Sequence, residues 1–181
     1  MKLYDRSCQP IYRFHGNYRW CSSFAPVTIR MGSDLYPSVE HAYQASKTID
    51  PIERAWFRGS ITAGQAKRLS NKVTLREGWH DIKESIMREL TRQKFKQPYY
   101  RELLIQTGEA YIEEGNYHGD IFWGVNLRTG IGDNRLGQIL MQHRYEANHP
   151  PKKFAKLYIE PKPPSEESKQ VSKSFFQTLF N

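Results

Sequence analysis

Glu40, Tyr43, Gln44 and Lys47 fall within the stretch Ser38 to Lys47, SVEHAYQASK. At about 100° per residue they share one face of a helix, with the acid and the amine two turns apart. On the wall of a cleft, the carboxylate could stabilise positive charge or activate water, and the amine could contact a phosphate or attack a carbonyl carbon. On a solvated face the same residues are ordinary surface polarity, and spacing alone leaves both readings open. A second cluster lies in GDIFWG, where Asp120, Phe122 and Trp123 stand in a glycine-bounded loop and the aromatics could stack on a base or sugar. Trp79 reads either as core or as a ligand platform.

These residues need elements to hold them. IYRF (Ile11 to Phe14) and VTIRM (Val27 to Met31) read as short strands around a turn-rich connection, giving a small antiparallel unit. Pro37 and Ser38 start a helix expected to run to about Ile49, where Asp50-Pro51 interrupts it. Further helices are expected over Ile52 to Phe57, Thr62 to Leu69, Trp79 to Phe95, Pro98 to Thr107 and Asn134 to Tyr145. The longest carries Trp79, Ile82, Ile86 and Leu90 as its apolar stripe. AYIEE (Ala110 to Glu114) reads as one more strand.

With 181 residues, 38% of them hydrophobic and 25% charged, the chain suits one main domain with a packed interior. No run approaches the roughly 18 apolar residues of a membrane span, and the N-terminal MKLYDRSCQP has no signal-peptide core. A cytoplasmic location without membrane association is expected. Cys8 and Cys21 are too few for a disulfide framework and have no metal-ligand spacing with the histidines. In the absence of a glycine-rich nucleotide fingerprint as well, neither cofactor nor metal is expected.

The net charge of +8 points to a polyanionic partner, because lysine and arginine gain by displacing counterions from phosphates. Arg88, Arg92 and Lys96 recur at i, i+4, i+8 on the longest helix, either as a solvated face or as a stripe following a nucleic-acid backbone. From residue 150 the composition shifts to proline, lysine and serine, so residues 1–149 are expected as the domain and 150–181 as a flexible tail. FAKLYIE could add an edge strand. SFFQTLFN then closes the chain with Phe175, Phe176, Leu179 and Phe180, which either fold back or dock on a partner.

Taken in order, Phe14-x-Gly16, WCSSF (Trp20 to Phe24), SVEHAYQASK, AKRL (Ala66 to Leu69), Trp79, Met87 and Lys94-Phe95 form one series of motifs. It continues with LLIQTG (Leu103 to Gly108), Tyr111 to Glu113, DIFWG (Asp120 to Gly124) and GDNRLGQILMQHR (Gly132 to Arg144). The series resembles the NADAR family (NAD- and ADP-ribose-associated, YbiA-like) from about Tyr12 to Arg144. Ser23 replaces the family's usual asparagine, and Thr48 a usual aromatic.

The resemblance implies an α+β, mainly helical YbiA-like single domain with a small antiparallel sheet, cleaving N-glycosidic bonds. Some relatives act on early riboflavin intermediates, and others remove ADP-ribose from guanine modified by DNA ADP-ribosyltransferases. Glu40, Lys47, Trp79, Asp120 and Trp123 match its functional positions. Glu40 is expected to stabilise the ribosyl cation or orient water. Lys47 is a phosphate or leaving-group contact or a Schiff-base nucleophile, and Asp120 a second acid/base or ribose anchor. Ser22, Ser23, Tyr43, Gln44 and Phe122 are further contacts. Asn134 is a polar contact or helix cap, and Arg144 a pyrophosphate grip or internal ion pair. ADP-ribosylated DNA is the favoured partner on charge. The terminal SFFQTLF resembles the peptides by which replication and repair enzymes hold a sliding clamp. Deleting Ser174 to Asn181 is expected to abolish capture by a sliding clamp while leaving activity on a short oligonucleotide intact; unchanged capture would reject that partner.

Overall fold

The computed structural model of the protein describes residues 3–59 and 61–150. The elements are β1 (Pro26–Met31), β2 (Asp34–Ser38), α1 (Val39–Ala45), α2 (Pro51–Ala55), α3 (Ala63–Leu69), α4 (Trp79–Lys96), α5 (Pro98–Gln106), β3 (Gly115–Asn116), β4 (Val125–Asn126) and α6 (Arg135–Asn148). The expected FAKLYIE strand, the linker and the aromatic terminus lie outside the described residues.

β1 alternates exposed and buried residues, sending Val27, Ile29 and Met31 inward. It pairs antiparallel with β2 through Ile29 and Tyr36, Arg30 and Leu35, and Met31 and Asp34. β2 is not expected from sequence, because Pro37 lacks an amide donor; in a two-stranded sheet it sits on an edge, where the missing donor is tolerated. Ser38 ends β2 and caps α1, its hydroxyl accepting from the His41 amide. All seven residues of α1 are buried, and it packs against the hairpin, α3 and α4.

The helix is shorter than its pattern suggests. After Ala45 the Lys47 and Thr48 amides bond carbonyls three residues back, tightening the last turn, and the Ser46 hydroxyl bonds the Ala42 carbonyl. Lys47 therefore stands in a turn beyond the helix, its own carbonyl accepting from the Arg76 amide at 2.7 Å.

α4, α5 and α6 pack mutually. Trp79, Met87, Leu90 and Phe95 of α4 are buried, with Ile82 and Ile86 partly so, and full burial of such side chains contributes roughly 1.5–3 kcal/mol each. The strands expected at IYRF and AYIEE reduce to a bridge between Ile11 and Ile112. The Ile11 amide donates to the Tyr111 carbonyl and its carbonyl accepts from Glu113, but Pro10 before it has no amide to extend the ladder. The chain after Ile112 instead runs into β3, which pairs in parallel with β4.

Lys94 is fully buried in this core. Its ammonium donates to the Ser22 carbonyl at 2.7 Å and lies 4.8 Å from the Tyr100 ring centre. Burial pulls its pKa down to about 7, against the opposing pull of Cys21. Between that value and the usual lysine value near 10.4 the unfolded chain holds a proton the folded chain has released, so stability rises with pH across this window. Relative to Lys94→Met, the wild type should gain resistance to denaturant from pH 7 to pH 10; parallel pH profiles for the two proteins would contradict this assignment.

Candidate active site

Ser23, Glu40, Tyr43, Gln44, Lys47, Trp79, Asp120, Phe122 and Trp123 line one cavity of about 230 Å³, together with Phe24, Lys67, His80, Lys83, Met87, Glu114 and Leu136. The surface reading of the α1 residues is thereby excluded: Glu40 and Gln44 are each only 4% exposed. A buried carboxylate requires donors, and Glu40 has them. Ser23 Oγ donates to Oε2 at 2.9 Å, and Gln44 Nε2, one turn along α1, donates to Oε1 at 2.7 Å. The Glu40 amide also donates to the Ser23 carbonyl. The serine standing where the family has asparagine thus still holds the acid.

Lys47 donates to Ser70 Oγ at 3.1 Å. Burial lowers its pKa, with Glu40 opposing the shift and Lys67 adding to it. Tyr43 lies 5.2 Å from Trp79 and 5.6 Å, edge to face, from Trp123. Burial raises its pKa, against the hydrogen bond from Trp123, and it remains a neutral phenol. Trp79 serves both as core and as cavity wall, being 5% exposed.

Asp120 is a brace for its own loop. Its Oδ1 accepts from the Phe122 and Trp123 amides, at 3.2 and 2.9 Å, leaving Oδ2 for another donor. The carbonyls of Ile121, Phe122 and Trp123 accept from the Asp133, Arg135 and Leu136 amides, so the loop satisfies the otherwise orphan donors that open α6. Gly124 is required there: a side chain would overlap the Glu114 carbonyl. Phe122 packs edge to face on Trp123, and the Lys83 ammonium sits 3.5 Å over its ring.

Glu114 is the acid that the sequence reading missed, and Lys67, His80 and Lys83 join the lining without having been expected there. Glu114 follows Glu113 in a stretch that reads as alternating strand, and only the turn residues after it, Gly115 to Gly119, mark it as the mouth of a loop. Its Oε2 is buried without a hydrogen-bond partner. Burial pushes its pKa up to about 8, with the charges of Asp120 and Glu40 adding to the rise and Lys67 opposing it. At neutral pH it is a protonated acid beside two other carboxyl groups. Among the described residues, no three His, Cys, Asp or Glu side chains gather closely enough to hold a metal ion.

Three expected contacts are absent from the cavity lining. Ser22 uses its hydroxyl to accept from the Phe24 amide and its carbonyl to hold Lys94. Asn134 is neither a ligand contact nor a side-chain cap: in the left-handed conformation, at φ 51°, it bonds the Tyr111 hydroxyl, the Ile112 carbonyl and the Glu114 amide. It fixes the backbone of Glu114 from the start of α6. Arg144 is 2% exposed and donates to Thr107 Oγ1 and the Leu3 carbonyl, with the Glu109 charge opposing the fall in its pKa on burial, so it is spent inside the fold rather than on a pyrophosphate. On α4, Arg88 pairs with Glu84 and Arg92 with Glu89, while Lys96, the third residue of the expected stripe, is exposed.

A family model for the NADAR domain matches residues 11–147. The chain belongs to the NADAR family. It is 34% identical over 136 residues to the Escherichia coli N-glycosidase YbiA, covering 74% of this chain and 84% of that protein. It is 38% identical over 144 residues to a Vibrio vulnificus protein named for riboflavin biosynthesis, VVA0006, covering 76% of this chain but only 38% of that longer protein. The solution structure of E. coli YbiA superposes with a TM-score of 0.68 at 28% identity, covering 87% of this chain and 99% of that one. The fold is thus YbiA-like. Among the described residues no helix is long and apolar enough to cross a membrane. Because Arg144 faces inward, Arg144→Met should cost about 1–3 kcal/mol of stability and leave KM unchanged; a raised KM at unchanged stability would restore it to the substrate site.

Proposed function

We propose that this NADAR protein hydrolyses N-glycosidic bonds to ribose, and that its substrate is ADP-ribosylated guanine in DNA. The reading rests above all on two carboxyl groups with different surroundings in one cavity: Glu40, whose oxygens accept from Ser23 and Gln44, and Glu114, buried with Oε2 unpartnered and its pKa raised to about 8. Environments that push titratable groups apart divide acid from base work. As the bond between C1 and the base nitrogen breaks, its electron pair moves to the base, which takes the Glu114 proton. Water adds to the oxocarbenium carbon and gives its proton to Glu40, and solvent exchange restores both groups. Asp120 Oδ2 holds a ribose hydroxyl, while Trp79 and Trp123 wall the ribosyl unit. Lys47, with its lowered pKa, contacts the leaving group or captures the opened aldehyde as an imine, releasing water.

Two observations favour nucleic acid. The net charge of +8 assists capture of a polyanion and adds little for a small-molecule substrate beyond its pocket. The cavity, at about 230 Å³, is below the roughly 300–1,000 Å³ of sites that enclose a small ligand, as suits a substrate that extends beyond it. The riboflavin-pathway reading is kept by the name of the V. vulnificus relative.

Wild type should release ADP-ribose from a single-stranded oligonucleotide carrying ADP-ribosylated guanine. Glu40→Gln should lose at least about a hundredfold in turnover while retaining ligand affinity. Borohydride should trap a covalent adduct in wild type and not in Lys47→Ala if the imine forms. Ligand binding without turnover by wild type would indicate a reader module, and turnover of riboflavin intermediates alone would move the substrate to that pathway.

A further inference from the structure

Two of the three α4 stripe residues, Arg88 and Arg92, are paired within their own helix, and a second cationic cluster stands outside it. Tyr117 is 52% exposed and carries two arginines on one ring: the Arg13 guanidinium carbon is 5.1 Å and that of Arg128 5.8 Å from its centre. Arg58, Arg88, Arg92 and Arg135 each pair with a carboxylate. Neither Arg13 nor Arg128 has such a partner among the described residues. Stacking on an aromatic ring fixes the plane of a guanidinium and leaves its N–H edge for an anion. Two like charges gathered on one exposed ring are stabilised by an anion between or beside them.

The backbone makes this arrangement rigid. The Tyr12 carbonyl accepts from the Gly115 amide, and the Leu127 amide donates to the Asn116 carbonyl. A side chain at Gly115 would overlap both the Tyr12 carbonyl and the Leu127 side chain, so the segments bearing Arg13, Tyr117 and Arg128 converge there. Arg128 rides a tight turn closed by the Thr129 and Gly130 amides on the Asn126 carbonyl. Tyr117 is also three residues from both Glu114 and Asp120, and three residues span at most about 11 Å. The cluster therefore lies close to the cavity in which those acids stand.

We propose that Arg13, Tyr117 and Arg128 form a phosphate clamp for the backbone of single-stranded nucleic acid, seating the strand beside the base presented to the cavity. The proposal deepens the DNA reading and rests on it for the substrate. Single strand is favoured because a bond on the edge of a base enters a cavity only when that base is out of its stack.

Binding of a fluorescent, unmodified oligothymidylate to the full chain should be followed against salt for wild type, Arg13→Ala/Arg128→Ala, Tyr117→Ala and Tyr117→Phe. The double variant should bind about tenfold more weakly and reduce the slope of log affinity against log salt by roughly 1.4, two phosphates at about 0.7 each. Tyr117→Ala should fall between, and Tyr117→Phe, which keeps the ring, should match wild type. All variants should keep the wild-type melting temperature. Unchanged affinity and slope in the double variant would overturn the clamp, as would weakened binding of free ADP-ribose with oligothymidylate binding intact. Loss of oligothymidylate binding in the double variant, with no release of ADP-ribose by wild type, would support the clamp and reject the catalytic reading.

Discussion

The structure is organised around a carboxylate placed where a protein core ordinarily admits none. α1 is buried on every side, and a helix in that position is expected to be apolar throughout. Glu40 is accommodated because each of its oxygens has a donor, one from Gln44 on the same helix and one from Ser23. The Ser23 segment is anchored in turn by the buried Lys94 ammonium on the Ser22 carbonyl. Unpaired, groups of this kind each cost several kcal/mol. The polar partners are therefore part of the fold as much as of the site.

The opposite wall is built by α6 and the segments before it. Asn134, in a backbone conformation that asparagine adopts more readily than most residues, ties together Tyr111, Ile112 and Glu114. The opening amides of α6 hold the loop carrying Phe122 and Trp123, and Asp120 braces that loop from within. Glu114 is delivered by backbone bonds to a place where its carboxyl group is desolvated, and Glu40 and Asp120 both disfavour its charge. The NADAR frame thus brings acids from distant parts of the chain into one cavity and gives them different surroundings.

Much of this was legible in the sequence. Periodicity and capping residues located the six α-helices of the described residues, because each has a clear apolar face or cap, as at Thr62 with its reciprocal Gln65 bond. The α1 residues and Asp120, Phe122 and Trp123 were found through chemistry-bearing types at short spacing. What failed depends on partners far along the chain. Whether Glu40 faced solvent or core could not be read from α1 alone, since burial is decided by the elements packed around it. Lys47 left the helix through capping bonds that periodicity does not encode. Asn134 and Arg144 have polar side chains that suit a ligand equally well, and only their internal partners, Tyr111 and Thr107 among them, turn them into braces. Glu114 carries its signal in desolvation, which no local pattern reveals.

The protonated acid is where function and fold meet most closely, and the pH dependence of kcat/KM for ADP-ribose release tests it directly. In wild type the rate should fall as pH rises through about 8, where Glu114 loses its proton, and in Glu114→Gln the residual rate should lack that descending limb. A wild-type profile level through this range, or the same limb persisting in the variant, would contradict the assignment of Glu114 as the acid of the site.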